Sequence, residues 1–480
     1  MSGSKGWLAL VLLSGMLALS GCAVNPATGQ TDFVMMSEQE EVSLGQRYHQ
    51  EVLKQYSLVE DKALRDYVER IGQRMARASH RSNLNYQFTV VDSPEINAFA
   101  LPGGYIYIHR GLMSYLNSEA ELAAVLGHEI GHVTARHSVR QHGQSSALSI
   151  LANVVAIGTG YGAAGDLTNV LGTAVVRGYG RDMELEADGL GAQYLARAGY
   201  DPQAMIQVVR VLKAQEDFAR ARAAAKGQEA SGGYHGLFDT HPDNDRRLQE
   251  VIGKVPGGGS GEVGREAFLK RLNGVPFGDS AASGVRRGQR FYHAELNFTL
   301  EYPAGWGIVN QPDKLIGHTQ DDQAFIIMGM EDRDERLTPE EFLRKKVGRQ
   351  SLVEEFNLKQ AGLSGYAAMI PGDKARRLAV VYHGKHAYMF VAAVKGRAPI
   401  ETQDDRFMQV IRSFRPLTSK EKALAQPLRI RLHTVKAGET IRSLAGSSKF
   451  NEDGESQLRL LNGLYPSGEV KAGQVIKIVR

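Results

Sequence analysis

At 480 residues the chain exceeds what a single hydrophobic core organises, so two to four domains are expected. Its apolar (42%) and charged (23%) fractions are those of a globular protein and exclude a disordered or fibrous chain. The formal net charge of +4 is mild for this length and no Lys/Arg block stands out, so nucleic acid is not an expected partner.

Residues 1–21 read as a secretory signal: Lys5, an apolar run from Trp7 to Leu19, then small residues. The run is too short and too weakly flanked for a transmembrane anchor. Leu19-Ser20-Gly21-Cys22 resembles the bacterial lipobox. That resemblance implies lipidation of Cys22 as the first mature residue, and Ala23 after it favours the outer membrane. Cys22 is the chain's single cysteine, so an intramolecular disulfide is impossible.

Ser37-Glu38-Gln39-Glu40 has the pattern of a capping box, which predicts a helix running on to about residue 56. Leu64, Tyr67, Val68, Ile71 and Met75 recur at helical spacing and predict a second helix over roughly 60–78. YQFTVV (86–91) reads as a strand, and FALPGGYIYIH (99–109) as two strands joined by a Pro-Gly-Gly turn. Ser118-Glu119-Ala120-Glu121 is a second capping-box pattern.

The helix it opens carries AVLGHEIGHVTARH (124–137). Residues i and i+4 share a helix face, so His128 and His132 point the same way and can reach one Zn²⁺ together. Glu129 is rotated to the side, where it can hold a water on the metal. His137 lies about 180° from His128 on the wheel and is expected to pack or face solvent. Residues 147–178 are apolar and small but broken by glycines and Asp166, which predicts a buried helix pair or a flap near the site rather than a membrane span.

A helix is predicted from about Arg181 to Ala198, and it carries MELEADG (183–189). Glu184 can supply the third ligand that a catalytic zinc needs. Asp188 shares its face and can accept the other ring N–H of a histidine ligand. Glu186, about 200° away, should face elsewhere. The histidine pair alone fits two solvent-facing imidazoles as well; the acidic helix that follows it favours a metal site.

KGQEASGG (226–233) and KVPGGGSGEVG (254–264) read as flexible stretches, the second a linker by composition. Residues 285–416 mix strands and helices and predict a separate α+β domain. SKEKALAQP (419–427) then links to a compact unit, HTVKAGETIRSLA…LRLLNGL…VKAGQVIKI. No internal repeat is legible.

HEIGH and ELEAD, with NAFALPGG (97–104) upstream and Thr240-His241-Pro242 downstream, resemble the M48 gluzincin peptidases over about 35–255. More narrowly, the pattern is similar to bacterial periplasmic members that act in outer-membrane quality control. The resemblance implies that His128, His132 and Glu184 bind one zinc per chain. It also implies that Glu129 is the general base, with Asp188 and Arg247 as outer partners. It makes Asn97, Ala98, Phe99, Ala100, Pro102, Gly103 and Gly104 a substrate-binding edge strand and turn. It brings His241 close to the metal, either as an autoinhibitory ligand or as a donor to the oxyanion. Relatives in this group carry helical repeats after the catalytic domain, and none is read here.

The C-terminal unit resembles a LysM module, which implies peptidoglycan binding, although GSSKFNEDGES between its helices departs from the usual pattern. FTLEYPAGWGIV in the middle domain resembles the PsbP/Mog1-like sandwich and is assigned no chemistry.

The expectation is an α+β, multidomain chain. It has a signal (1–21), a mainly helical zincin domain with a small edge-strand sheet (22–255) and a linker (256–284). A sandwich-like α+β domain (285–418) and a βααβ module (428–480) follow. The leading reading is a zinc endopeptidase of the periplasm, anchored to the outer membrane. Its implied partners are envelope polypeptides, peptidoglycan and the outer-membrane assembly machinery. The alternatives are a latent protease acting mainly as a chaperone or assembly factor, a peptidoglycan-associated binding protein, and a cell-wall hydrolase.

Overall fold

The computed structural model describes residues 36–142, 179–225, 244–254, 260–396, 398–450 and 453–480, with 22–24, 27, 29 and 31–33 near the N-terminus. The signal, residues 147–178, residues 226–233 and His241 lie outside the described residues. The chain divides into two compact units: the chain up to Val275 together with Arg429–Arg480, and Pro276–Leu428. Helix and sheet are mixed throughout, as expected. No described helix is long and apolar enough to cross a membrane.

In the first unit, β1 (Cys22–Val24) pairs antiparallel with β2 (Thr31–Phe33). Helix α1 (Glu38–Gln55) opens on the expected capping box, with Ser37 and Glu40 each satisfying the other's backbone N–H. Asp61 caps α2 (Lys62–Arg77) by accepting from the Leu64 N–H. Strands β3 (Gln87–Val91), β4 (Ala98–Leu101) and β5 (Tyr105–His109) form a sheet in the order β3-β5-β4, with β4 at one edge. Side chains alternate across this sheet. Val90, Ala98, Ala100, Ile106 and Ile108 face the main core, whereas Val91, Phe99, Leu101, Tyr105 and Tyr107 pack with Leu44, Tyr48 and Val52 of α1. Covering both faces buries every residue of β4 and β5.

Helices α3 (Arg110–Tyr115) and α4 (Glu119–Thr134) follow, and every residue of α4 is buried. Around α4 lie α5 (His137–His142), α6 (Arg181–Arg197), α7 (Gln203–Ala225), α8 (Asn244–Lys254) and α9 (Arg265–Leu272). The last of these falls inside the linker expected over 256–284. Its Phe268, Leu269 and Leu272 are buried in the main core. Ahead of it, Val263 O accepts from the Ala120 N–H and Glu262 exchanges backbone hydrogen bonds with Gly199 and Asp201. An eight-residue helix flanked by glycines leaves little periodicity to read.

The C-terminal module folds as the expected βααβ: Leu428–Thr434, Ile441–Ser447, Gly454–Leu461 and Val475–Val479, with the outer strands antiparallel. It is fastened to the rest of the first unit through Lys477. The Lys477 Nζ, fully buried, donates to Ser114 O and Leu116 O, both at 2.6 Å, and so satisfies carbonyls at the end of α3. Burial holds the Lys477 pKa well below the usual lysine range, with the Glu121 carboxylate acting against it. Arg265 donates to Asn117 O at 3.0 Å and to Val475 O at 3.2 Å, and Tyr465 meets Phe218 of α7 edge-on.

The second unit holds a seven-stranded antiparallel sheet. Its strand order is Gly307–Asn310, Lys314–His318, Ala324–Asp332, His386–Val394, Arg376–His383, Leu363–Ile370, Val353–Gln360. Helix Glu401–Ser413 supplies Phe407 and Ile411 to a core that includes Phe298, Trp306, Phe390 and Phe414. Trp306 thus serves packing, as its place in Pro303-Ala304-Gly305-Trp306 suggests.

Replacing Lys477 with Met strands two carbonyls in a dry interior. The variant is expected to lose about 1–3 kcal/mol of stability, read from urea unfolding of the full chain.

Candidate metal centre

The centre is built where α4 crosses α6, and the crossing is close because the contact residues are small. A Cβ added at Gly131 would lie 2.9 Å from Ala187 O, and one at Gly191 would lie 3.0 Å from His128 N. Backbone approach of this kind is available only without a side chain. It sets Glu184, in the first turn of α6, opposite the two histidines of α4.

His128 Nε2 and His132 Nε2 are 3.0 Å apart, and the Glu184 carboxylate oxygens lie 3.5 Å from each. One ligand atom from each of the three residues lies within 4.8 Å of the others, and all three side chains are buried. The tautomers follow from the far ring atoms. His128 Nδ1 is 2.8 Å from Asp188 Oδ1, so that nitrogen carries the proton and Nε2 is left as a lone pair facing the cluster. His132 Nδ1 is likewise engaged, at 2.8 Å from His137 Nδ1. Two facing imidazole lone pairs beside a carboxylate call for a cation.

The electrostatics agree. Burial opposes charging His128, yet the hydrogen bond and charge of Asp188, then those of Glu184, push its pKa up to about 9. The donor set of two imidazole nitrogens and one carboxylate is one that zinc takes, and the site is dry and fixed. Asp188 is itself secured by Arg247 of α8, whose Nε and Nη2 each donate to it at 2.8 Å. Burial would raise the Asp188 pKa, but Arg247 and then His128 hold it well below the usual carboxylate range. Glu129 is buried on the same helix, and its charge acts on both Arg247 and Tyr179. It follows His128 directly on α4.

Residues 62–254 match the family model described as Peptidase family M48, and residues 433–479 match the one described as LysM domain. The chain carries an M48 peptidase domain and a LysM domain. A beta-barrel assembly-enhancing protease of Yersinia pestis is 32% identical over 236 residues, 47% of this chain and 46% of that protein. Its counterpart from Escherichia coli (strain K12) is 30% identical over 235 residues, again 47% and 46%. The mitochondrial metalloendopeptidase OMA1 of Arabidopsis thaliana is 31% identical over 226 residues, 45% and 43%. The chain spans about half the length of the relatives it matches. A cyanobacterial PsbP from Synechocystis sp. PCC 6803 aligns with 28% of this chain and 96% of its own, at 13% identity and a TM-score of 0.23, too slight to fix the fold of the middle domain.

Within the M48 domain the structure brings His128, His132, Glu184, Asp188 and Arg247 together. His241 lies outside the described residues. The edge-strand motif divides in two. Ala98, Phe99 and Ala100 lie on β4, while Pro102, Gly103 and Gly104 form a buried turn. Gly103 and Gly104 have φ of 79° and 97°; the first abuts Val42 of α1 and the second abuts Tyr86. Asn97 is fully buried, and among the described residues neither its side-chain oxygen nor its nitrogen has a hydrogen-bond partner.

Two residues take contacts that the sequence reading did not give them. His137 was expected to pack or face solvent unless the helix had ended, and it is fully buried. The helix ends at Thr134, and Arg136 adopts a left-handed φ of 52°, which swings His137 back onto His132. Glu186, expected to face elsewhere, points away from the ligand atoms but meets His137 Nε2 at 3.1 Å. No glycine, asparagine or proline marks the break in Thr134-Ala135-Arg136, so no local signal announced it.

Arg247→Met would leave Asp188 charged, buried and without its guanidinium. A loss of about 3–5 kcal/mol is expected, measured by chemical unfolding against the wild type.

Proposed function

We propose that the chain is a zinc-dependent endopeptidase of the cell envelope that cleaves misfolded or misassembled outer-membrane and periplasmic proteins. The observation that carries this reading is the convergence of His128, His132 and Glu184 on one point beside the buried Glu129. The M48 match over residues 62–254 and the named proteases among the relatives support it.

His128, His132 and Glu184 would hold a single zinc ion. Zinc bound there supplies a Lewis acid that polarises a carbonyl and acidifies water. Glu129 takes the proton from the attacking water and returns it to the leaving amine. Asp188 and Arg247 keep His128 oriented through the cycle. Strand β4 (Ala98–Leu101), just after Asn97, lies at an edge of its sheet, and its backbone groups would pair with an extended polypeptide, a grip that tolerates many sequences. His241 is read as a further group near the metal, either inhibiting or donating.

The names of the bacterial relatives favour β-barrel assembly substrates and contact with the assembly machinery. The LysM match favours a hold on peptidoglycan, and the lipobox-like Cys22 favours anchoring to the outer membrane from the periplasmic side.

Glu129→Gln keeps the ligands and removes the base. Cleavage of an unfolded outer-membrane protein by the purified chain is expected to fall at least ~100-fold, with zinc content by atomic absorption staying near one per chain. Cleavage at the wild-type rate would refute the role of Glu129.

A further inference from the structure

We infer that His137 and Glu186 are positioning residues for the metal centre, forming a relay that fixes the tautomer and orientation of His132; this rests on the metal site proposed above. The two histidine ligands are held differently. His128 donates its Nδ1–H directly to a buried carboxylate, Asp188. For His132, the atom 2.8 Å from its Nδ1 is another imidazole nitrogen, His137 Nδ1. One of these two nitrogens carries the proton. His132 must offer the Nε2 lone pair to the cluster, so its proton sits on Nδ1 and His137 accepts.

His137 then carries its own proton on Nε2, which points at Glu186 Oε2, 3.1 Å away. Arg140 donates to the same Glu186 oxygen at 3.0 Å and holds it in place. The chain of donors therefore runs from His132 to His137 to Glu186. With the direction reversed, His132 would present an N–H to the metal. Glu186 and Arg140 line a cavity of about 570 Å³, and the terminal carboxylate is partly exposed, unlike Asp188. The ring of Tyr179 stacks on His132 with centroids 4.0 Å apart and 19° between planes, and its hydroxyl is 2.7 Å from Ser138 Oγ. Three contacts thus fix one imidazole: a stacked ring, a hydrogen-bonded ring and, through that ring, a carboxylate.

The geometry around the relay shows how it is maintained. His137 reaches His132 only because Arg136 takes a left-handed conformation, which costs about 1–3 kcal/mol. Arg136 donates to Glu41 Oε2 at 2.8 Å and to Met36 O at 2.7 Å, and Arg81 donates to the same Glu41 carboxylate. The strained turn is therefore clamped from α1.

The test is zinc affinity of the full chain, stripped of metal and titrated with Zn²⁺ against a chromophoric chelator. His137→Phe keeps an aromatic ring and removes the acceptor, and zinc should bind ~10–100-fold more weakly. The Glu186 pair separates positioning from charge. Glu186→Gln keeps an oxygen for the His137 N–H and should stay within about 3-fold of wild type, whereas Glu186→Leu should lose about 10-fold. Long-range ¹H–¹⁵N spectra of histidine-labelled protein should show His137 as the Nε2–H tautomer. Wild-type affinity in folded His137→Phe, equal losses in the two Glu186 variants, or an Nδ1–H tautomer at His137 would each overturn the relay. His132→Ala is the separate control: if it retains zinc, the metal site itself is misassigned.

Discussion

The approach of α4 to α6 through Gly127, Gly131, Ala187 and Gly191 is the constraint on which the centre depends. Ligand atoms from two helices must lie within 4.8 Å of one another, and side chains of fixed length reach that distance only if the helix axes are close. The closest backbone approaches at the crossing involve Gly127, Gly131, Ala187 and Gly191. A Cβ at Gly191 would meet His128 N, one residue position being both a crossing contact and a ligand. Glycine in a helix interior costs about 0.5–1 kcal/mol relative to alanine. Two in α4 and one in α6 are therefore an expense that only the close crossing explains.

Such closeness concentrates charge. Glu129, Glu184 and Asp188 are all buried and their charges act on Arg247, which donates two hydrogen bonds to Asp188. Carboxylates in this excess push the Arg247 pKa up and bring His128 to about 9. A divalent ion held by His128, His132 and Glu184 would offset this negative charge. Because such an ion binds the folded arrangement and not the extended chain, its binding free energy adds to fold stability. The buried ionic groups are poor stabilisers on their own account, so the surrounding helices and the packed sheet must fix them.

What could be read in advance followed from local periodicity. The i, i+4 spacing of His128 and His132 and that of Glu184 and Asp188 need only helical geometry, and the capping box at Ser37 needs only adjacent residues. The cap at Ser118 was partly legible: Ser118 Oγ accepts from the Glu121 N–H, but Glu121 returns to the Asn117 N–H rather than to that of Ser118. Arg247 was legible only through resemblance, since its partner lies 59 residues away in sequence. His137 and Glu186 escaped because a helical wheel assumes that the helix continues, and the turn at Arg136 is imposed by Glu41, a residue 95 positions distant. Tertiary contacts of that range leave no periodic trace. Lys477 was invisible for the same reason: a lysine in a closing strand reads as solvent-facing, and only the docked neighbour makes it buried.

That lysine changes what the C-terminal module is to the peptidase domain. A module on a flexible tether would bury no such polar group against its neighbour. Here the Lys477 side-chain nitrogen is removed from water to hold two carbonyls at the end of α3, just before the cap of α4, and Arg265 spans the same joint from Asn117 to Val475. Desolvating a lysine is costly, and such a contact persists only where the two surfaces are fixed relative to each other. Force or strain on strand Val475–Val479 therefore acts within one residue of the cap of the helix that bears His128, Glu129 and His132, through a joint that is polar, dry and short. The module and the metal centre belong to a single mechanical body, although 340 residues of sequence separate Lys477 from His137.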